Sequence, residues 1–141
     1  MREKSEAQLF LESYEVNKVK MECKLDVRQF WHDMSLSITG QIAGDKVQSS
    51  GVKSRMEEAR DVCMGMEEDF LDQVKALAAS CKEVTEVIDQ VSNPTELKLL
   101  YQKYVLFKDF NTIAANFKAD YTWATTTHGR ALKSVEKLLN T

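Results

Sequence analysis

Apolar and small residues recur at helical spacing over residues 52–91, at Val52, Met56, Ala59, Cys63, Met66, Phe70, Val74, Leu77, Cys81, Val84, Ile88 and Val91. The steps between them are threes and fours that average close to 3.5, the repeat of a helix lying along a second helix. No proline interrupts the run, and Gly65 is its only glycine between Val52 and Val91. A helix of about 40 residues is about 60 Å long, so it needs a partner along its length. Residues 5–38 offer one. Val16, Val19, Cys23, Val27, Phe30 and Met34 step by 3, 4, 4, 3 and 4, and Leu9, Trp31 and Ile38 widen that stripe. Between the two runs, residues 39–51 hold three glycines and two serines and read as a loop. Helix, loop and helix predict an antiparallel hairpin. Two such hairpins can pair into a four-helix bundle, which makes residues 5–91 a candidate homodimer surface.

The pattern changes after Val91. Ser-Asn-Pro-Thr-Glu begins a new helix: Asn93 is a capping residue, Pro94 suits the first helical position, and Glu96 completes a capping-box spacing. Leu97, Leu100, Tyr101, Tyr104 and Val105 give this helix an apolar face as far as about Val105. Asp109 predicts the cap of a short helix, Phe110 to Phe117, with Ile113, Ala114 and Phe117 inward. Lys118-Ala119 form a turn. Asp120 then predicts the cap of a third helix, Tyr121 to about Leu139, with Ala124, Thr127 or His128, Ala131, Val135 and Leu138 inward. Two short helices joined by a tight turn are the arrangement that sets a helix in the DNA major groove. The expected fold is therefore all-α: a long coiled-coil-like hairpin over residues 1–91, for oligomerisation or partner binding, then a three-helix helix-turn-helix unit over 92–141.

Charge separates the same two regions. Residues 1–90 carry 12 Lys/Arg and 18 Asp/Glu, whereas residues 91–141 carry 7 and 4, which sums to the net −3 of the 141-residue chain. An acidic hairpin repels phosphate and a basic C-terminal part attracts it. On that basis the candidate DNA-contacting residues are Lys118, Tyr121, Thr122, Thr125, Thr126, Arg130 and Lys133. The threonines and Tyr121 would bond phosphates or touch thymine methyls, and the three cations would neutralise phosphates. Trp123, Glu67, Glu68 and Asp69 are the candidates for a protein contact, on an aromatic anchor and an acidic face.

Other chemistry finds little in the chain. Cys23, Cys63 and Cys81 form no C-x-x-C pair, and an odd count without a signal peptide does not read as a disulfide framework. They read as reduced thiols used as small hydrophobes, with no metal and no cofactor expected. His32 and His128 lie apart from them in sequence. There is no phosphate-binding glycine loop, no G-x-S-x-G and no H-E-x-x-H, so no enzyme is expected. No apolar run approaches a membrane span, and the first residues lack the apolar core of a signal peptide, which reads as a cytosolic protein.

The tracts Leu99-Leu-Tyr-Gln-Lys-Tyr-Val105, Phe110-Asn-Thr-Ile-Ala114 and His128-Gly-Arg-Ala-Leu132 resemble small phage and prophage regulators of the ArpU/RinA type. The C-terminal part of those proteins is similar to sigma factor region 4. The resemblance covers about residues 85–139, and Gly44–Gly51 looks like the loop between the N-terminal helices of related phage proteins. It implies a regulator of late transcription in a bacterial host, with double-stranded DNA, RNA polymerase or another host protein as partners. One departure stands out: the family's reading helix carries several Arg, Lys or Gln, whereas Tyr121-Thr-Trp-Ala-Thr-Thr-Thr-His128 carries none. That departure, with the acidic hairpin, keeps open a phage protein that inhibits or adapts a host nucleic-acid-handling complex by protein contact; a helix-turn-helix joined to helical oligomerisation segments leaves a DNA-packaging recognition subunit as a second alternative.

Overall fold

The computed structural model describes the backbone of residues 3–44 and 50–141, and the side chains of residues 3–37 and 54–141. Among the described residues every regular element is helical: α1 (Glu6–Gly44), α2 (Ser50–Asp89), α3 (Pro94–Leu100), a π-helical turn (Tyr101–Val105), α4 (Phe110–Asn116) and α5 (Tyr121–Leu139). The expected all-α architecture with a long helical hairpin is present. Of the expected loop at 39–51, residues 39–44 instead continue α1 and residues 50–51 already belong to α2. Residues 45–49 lie outside the described residues.

The chain divides into two compact units, Met1–Lys18 with Leu77–Thr141, and Val19–Ala76. This boundary differs from the expected one at residue 91. The first turns of α1 and the last turns of α2 share a core with the C-terminal helices: Ala7, Leu11, Val84, Ile88, Val91, Leu100, Tyr104, Ala131 and Val135 are all buried together.

The first unit is built on its caps. The Asn93 side chain accepts from Thr95 N at 2.9 Å and Glu96 N at 3.3 Å, satisfying orphan donors at the start of α3. The second half of the expected capping box is absent, because the Glu96 carboxylate instead accepts from Ser134 Oγ of α5 at 3.0 Å. The helix predicted to run to Val105 does so, but widens: Leu106 N reaches back to Tyr101 O at 2.9 Å, and Lys108 N to Gln102 O at 2.9 Å. Leu99, which fell outside the predicted apolar face, is fully buried beside Leu100. Phe107 then takes φ 58°, a backbone region that costs an aromatic residue on the order of 1–3 kcal/mol. Its ring is stacked on Tyr14 of α1 at 5.4 Å, with Lys18 Nζ 4.7 Å from its centroid. Within this unit Asn17 Nδ2 also donates to Ser80 Oγ.

The second unit is the remainder of the hairpin. Trp31 O accepts from Cys63 Sγ at 3.4 Å, and Arg28 donates through Nε and Nη2 to Glu67 at 2.9 and 3.1 Å. Rising numbers on one helix against falling numbers on the other make the pair antiparallel. The expected α1 stripe is corrected here: Val19, Cys23, Val27, Phe30 and Met34 are exposed, as are Leu9 and Val16 in the first unit. The side of α1 with more covered side chains is instead Met21, Lys24, Arg28, Trp31 and Ser35. Long side chains such as Lys24 and Arg28 cover apolar surface with their stems while their charges stay wet. On α2 the stripe from Met56 to Phe70 holds, but Val74 is exposed and Gln73 takes the buried position beside it.

Candidate functional site

The expected DNA-contacting residues lie in the turn after α4, at Lys118, and on α5, at Tyr121, Thr122, Thr125, Thr126, Arg130 and Lys133. Asp109 accepts from Thr112 N at 2.7 Å and caps α4; that bond holds its carboxyl below the usual carboxylate range. α4 closes with Ala119 N bonded to Ala114 O at 2.8 Å and Lys118 N to Ala115 O at 3.1 Å, a Schellman pattern with Lys118 in the left-handed position at φ 55°. Asp120 then accepts from Trp123 N at 2.8 Å and starts α5. Two caps two residues apart in the turn thus set where α5 begins. Ala114 and Ala124 are buried, and α4 packs on α5.

The buried line of α5 is Ala124, Thr127, Ala131 and Val135. By helical periodicity its opposite face carries Thr122, Thr126, Gly129, Arg130, Lys133 and Lys137. Thr122, Thr126, Arg130 and Lys133 are exposed, as are Lys118 and Tyr121 at the entrance to the helix. A Cβ added at Gly129 would meet nothing within 4 Å, so the middle of this face is open. Thr125 is half-buried, and its hydroxyl donates to Thr122 O at 3.0 Å, so it is engaged by its own helix. The face therefore carries two free-standing threonines, one tyrosine and a line of cations, with Glu136 the acidic residue among its exposed positions.

Two cations had no role in the sequence reading. Lys98 of α3 stands over the Phe117 ring at 5.3 Å, beside Lys118 in sequence, and Lys103 of the π turn stands over Phe110 at 4.6 Å. Their signal was an aromatic residue at each end of α4, which holds a lysine stem against a ring.

His128 serves the interior. Its Nε2 is 2.5 Å from Tyr104 Oη, the two rings are stacked at 5.7 Å, and Phe110 meets the imidazole edge-on at 5.0 Å. Burial, then the Lys103 charge, disfavour the imidazolium and push its pKa down to about 4, with Glu12 opposing. Burial, with Glu12 and Glu15, pushes the Tyr104 hydroxyl well above its ordinary value, so a protonated phenol lies beside a neutral imidazole. Tyr101 is raised to about 12, first by its hydrogen bond to Asp89 at 2.5 Å.

The protein-contact candidates divide between the two units. Trp123 is half-buried against Phe117 at 5.0 Å, so it is a packing residue of the turn and not an exposed anchor. Glu67 lies in the other unit, where the Arg28 guanidinium holds its carboxyl below the usual range. Glu68 and Asp69 are exposed next to it. Cys63 and Cys81 are half-buried, as expected of small hydrophobes, but Cys23 is exposed. Among the described residues no three His, Cys, Asp or Glu side chains converge as metal ligands, and no helix is long and apolar enough to cross a membrane. No family model, curated protein or solved structure matches this chain.

Proposed function

We propose that this chain is a phage or prophage transcription regulator, without catalytic activity, that binds double-stranded DNA in the cytoplasm of a bacterial host through α4, the turn and α5. The observation that carries this reading is the outer face of α5: Thr122, Thr126, Arg130 and Lys133 are exposed on the side opposite its buried line, after a short capped helix and a tight turn. In this reading Lys118, Arg130 and Lys133 contact phosphates, while Thr122, Thr126 and Tyr121 touch base edges or backbone oxygens. Thr125 contributes its methyl group, its hydroxyl being engaged by Thr122 O. Lys98 adds a cation on the Lys118 side. Buried Ala114 on α4 and Ala124 on α5 support the arrangement, because small side chains let two packed helices approach closely.

The test is a fluorescence-anisotropy titration of the full chain against labelled duplex from the adjoining genomic region, at low and physiological salt. Binding is expected to weaken with salt as phosphate counterions are displaced. Replacing Arg130→Ala and Lys133→Ala together should weaken binding to every sequence and flatten the log–log salt slope by about two units, about one per lost phosphate contact. Unchanged affinity and slope would remove α5 from the DNA, and absence of binding by the unaltered chain at either salt would end the DNA reading.

A further inference from the structure

The stripe of α1 that sequence periodicity assigned to the hairpin seam is exposed. In the second unit it comprises Val19, Cys23, Val27, Phe30 and Met34, with Phe30 58% and Val19 51% exposed. The residues step by 4, 4, 3 and 4 and so lie in one line along a straight helix. The same helix also packs against α2 in this unit, through the Trp31–Cys63 and Arg28–Glu67 bonds. Helix α1 is thus apolar on two sides, and the hairpin covers one of them. The open stripe amounts to on the order of 400 Å² of apolar surface, within the roughly 300–600 Å² reached by the largest patch of a soluble monomer, where such patches mark contact sites.

We infer that this stripe pairs with the same stripe of a second copy, in parallel orientation, to form a homodimer through α1. The area fits. Two stripes laid together remove on the order of 800 Å² of apolar surface, approaching the roughly 1,000 Å² that a specific interface needs. The charges select the orientation. Helical periodicity puts Lys20 along one edge of the stripe and Asp26 and Asp33 along the other. A two-fold axis parallel to the helices sets the lysine edge of each copy against the aspartate edge of its partner. Antiparallel pairing sets lysine against lysine and aspartate against aspartate, which is repulsive. The inference rests on the hairpin as the self-pairing part of the chain and not on DNA binding.

The test is sedimentation of the full chain over a range of concentrations, with helicity followed by circular dichroism. The unaltered chain should sediment as a dimer. Phe30→Asp should give a monomer of unchanged helicity. Lys20→Glu, and separately Asp26→Lys with Asp33→Lys, should each weaken the dimer, and mixing the two charge-reversed chains should restore a heterodimer. In a chain carrying Cys23→Ser, Cys63→Ser and Cys81→Ser, Met34→Cys should cross-link on oxidation, because parallel pairing brings each stripe residue near its own copy. A monomeric unaltered chain, a dimer indifferent to Phe30→Asp, or a dimer that Met34→Cys cannot cross-link each overturns the inference. A monomer that still binds duplex would overturn this pairing alone and leave the DNA reading standing.

Discussion

The two units of this chain are made from the same two long helices, yet they are held by different means. In Met1–Lys18 with Leu77–Thr141, residues from α1, α2, α3, the π turn and α5 enclose fully buried side chains such as Leu11, Ile88, Leu100 and Val135. In Val19–Ala76 the buried residues, among the described side chains, are Ala59 and Gln73. A helix pair alone can cover one stripe of each helix and no more. A third and fourth element are needed to close a core, and only the first unit has them. The lesson is that hydrophobic periodicity reports a face able to be buried. Whether it is buried depends on how many elements arrive to cover it.

The largest expected effect separates the units directly. Leu100→Ala empties a fully buried site and should cost about 2–5 kcal/mol. Leu71→Ala, at a position 50% exposed on α2 in the second unit, should change stability by about 0.5 kcal/mol or less. The chain has two tryptophans, Trp123 in the first unit and Trp31 in the second. Trp31→Phe and Trp123→Phe therefore leave one fluorescent reporter in each unit. In denaturant melts, Leu100→Ala should lower the Trp123 midpoint sharply. If the Trp31 midpoint falls by the same amount, the two units unfold as one and the contrast between them is broken.

A smaller effect belongs to the first unit alone. The imidazole of His128 has a pKa pushed down to about 4, against about 6.5 in an unfolded chain. Between those values the unfolded chain binds the proton and the folded one does not, so stability falls as pH drops from about 6.5 towards 4 and is restored above that window. His128→Phe keeps a ring against Tyr104 and Phe110 but removes the titration. It should flatten the pH dependence of the Trp123 midpoint while leaving that of Trp31 unchanged. An unaltered slope in the variant would place the acid sensitivity elsewhere.

How much was legible follows from the same contrast. The caps at Asn93, Asp109 and Asp120 and the inward line Ala124, Thr127, Ala131 and Val135 were readable, because caps and turns are local chemistry. The candidate face on α5 was readable for that reason, as the complement of the inward line. The hairpin seam on α1 was not. That helix has apolar residues on two sides, and periodicity favoured the more apolar side, Val16 to Met34, whereas α2 meets the side whose coverage comes from Met21, Trp31 and the stems of Lys24 and Arg28. The π turn was also illegible. Nothing in Tyr-Gln-Lys-Tyr-Val marks one extra residue in a turn, and the left-handed Phe107 that follows is held by Tyr14 and Lys18, about ninety residues earlier in the chain.

The smallest effect joins stability to the proposed face. Lys118 occupies the left-handed position that closes α4, at φ 55°. Such a backbone costs a residue with a Cβ on the order of 1 kcal/mol, a cost that glycine escapes. Against this, glycine loses more conformational entropy on folding and the lysine stem loses its contacts, so Lys118→Gly should stabilise the first unit by only about 0.5 kcal/mol. The Trp123 midpoint should rise slightly and the Trp31 midpoint should not move. On DNA the same change should act in the opposite direction, because it deletes one phosphate contact. Affinity should fall and the salt slope should flatten by about one unit. A variant that gains stability and loses DNA affinity would separate Lys118's backbone role from its charge. One that gains stability with DNA binding untouched would show that Lys118 closes α4 and does nothing more.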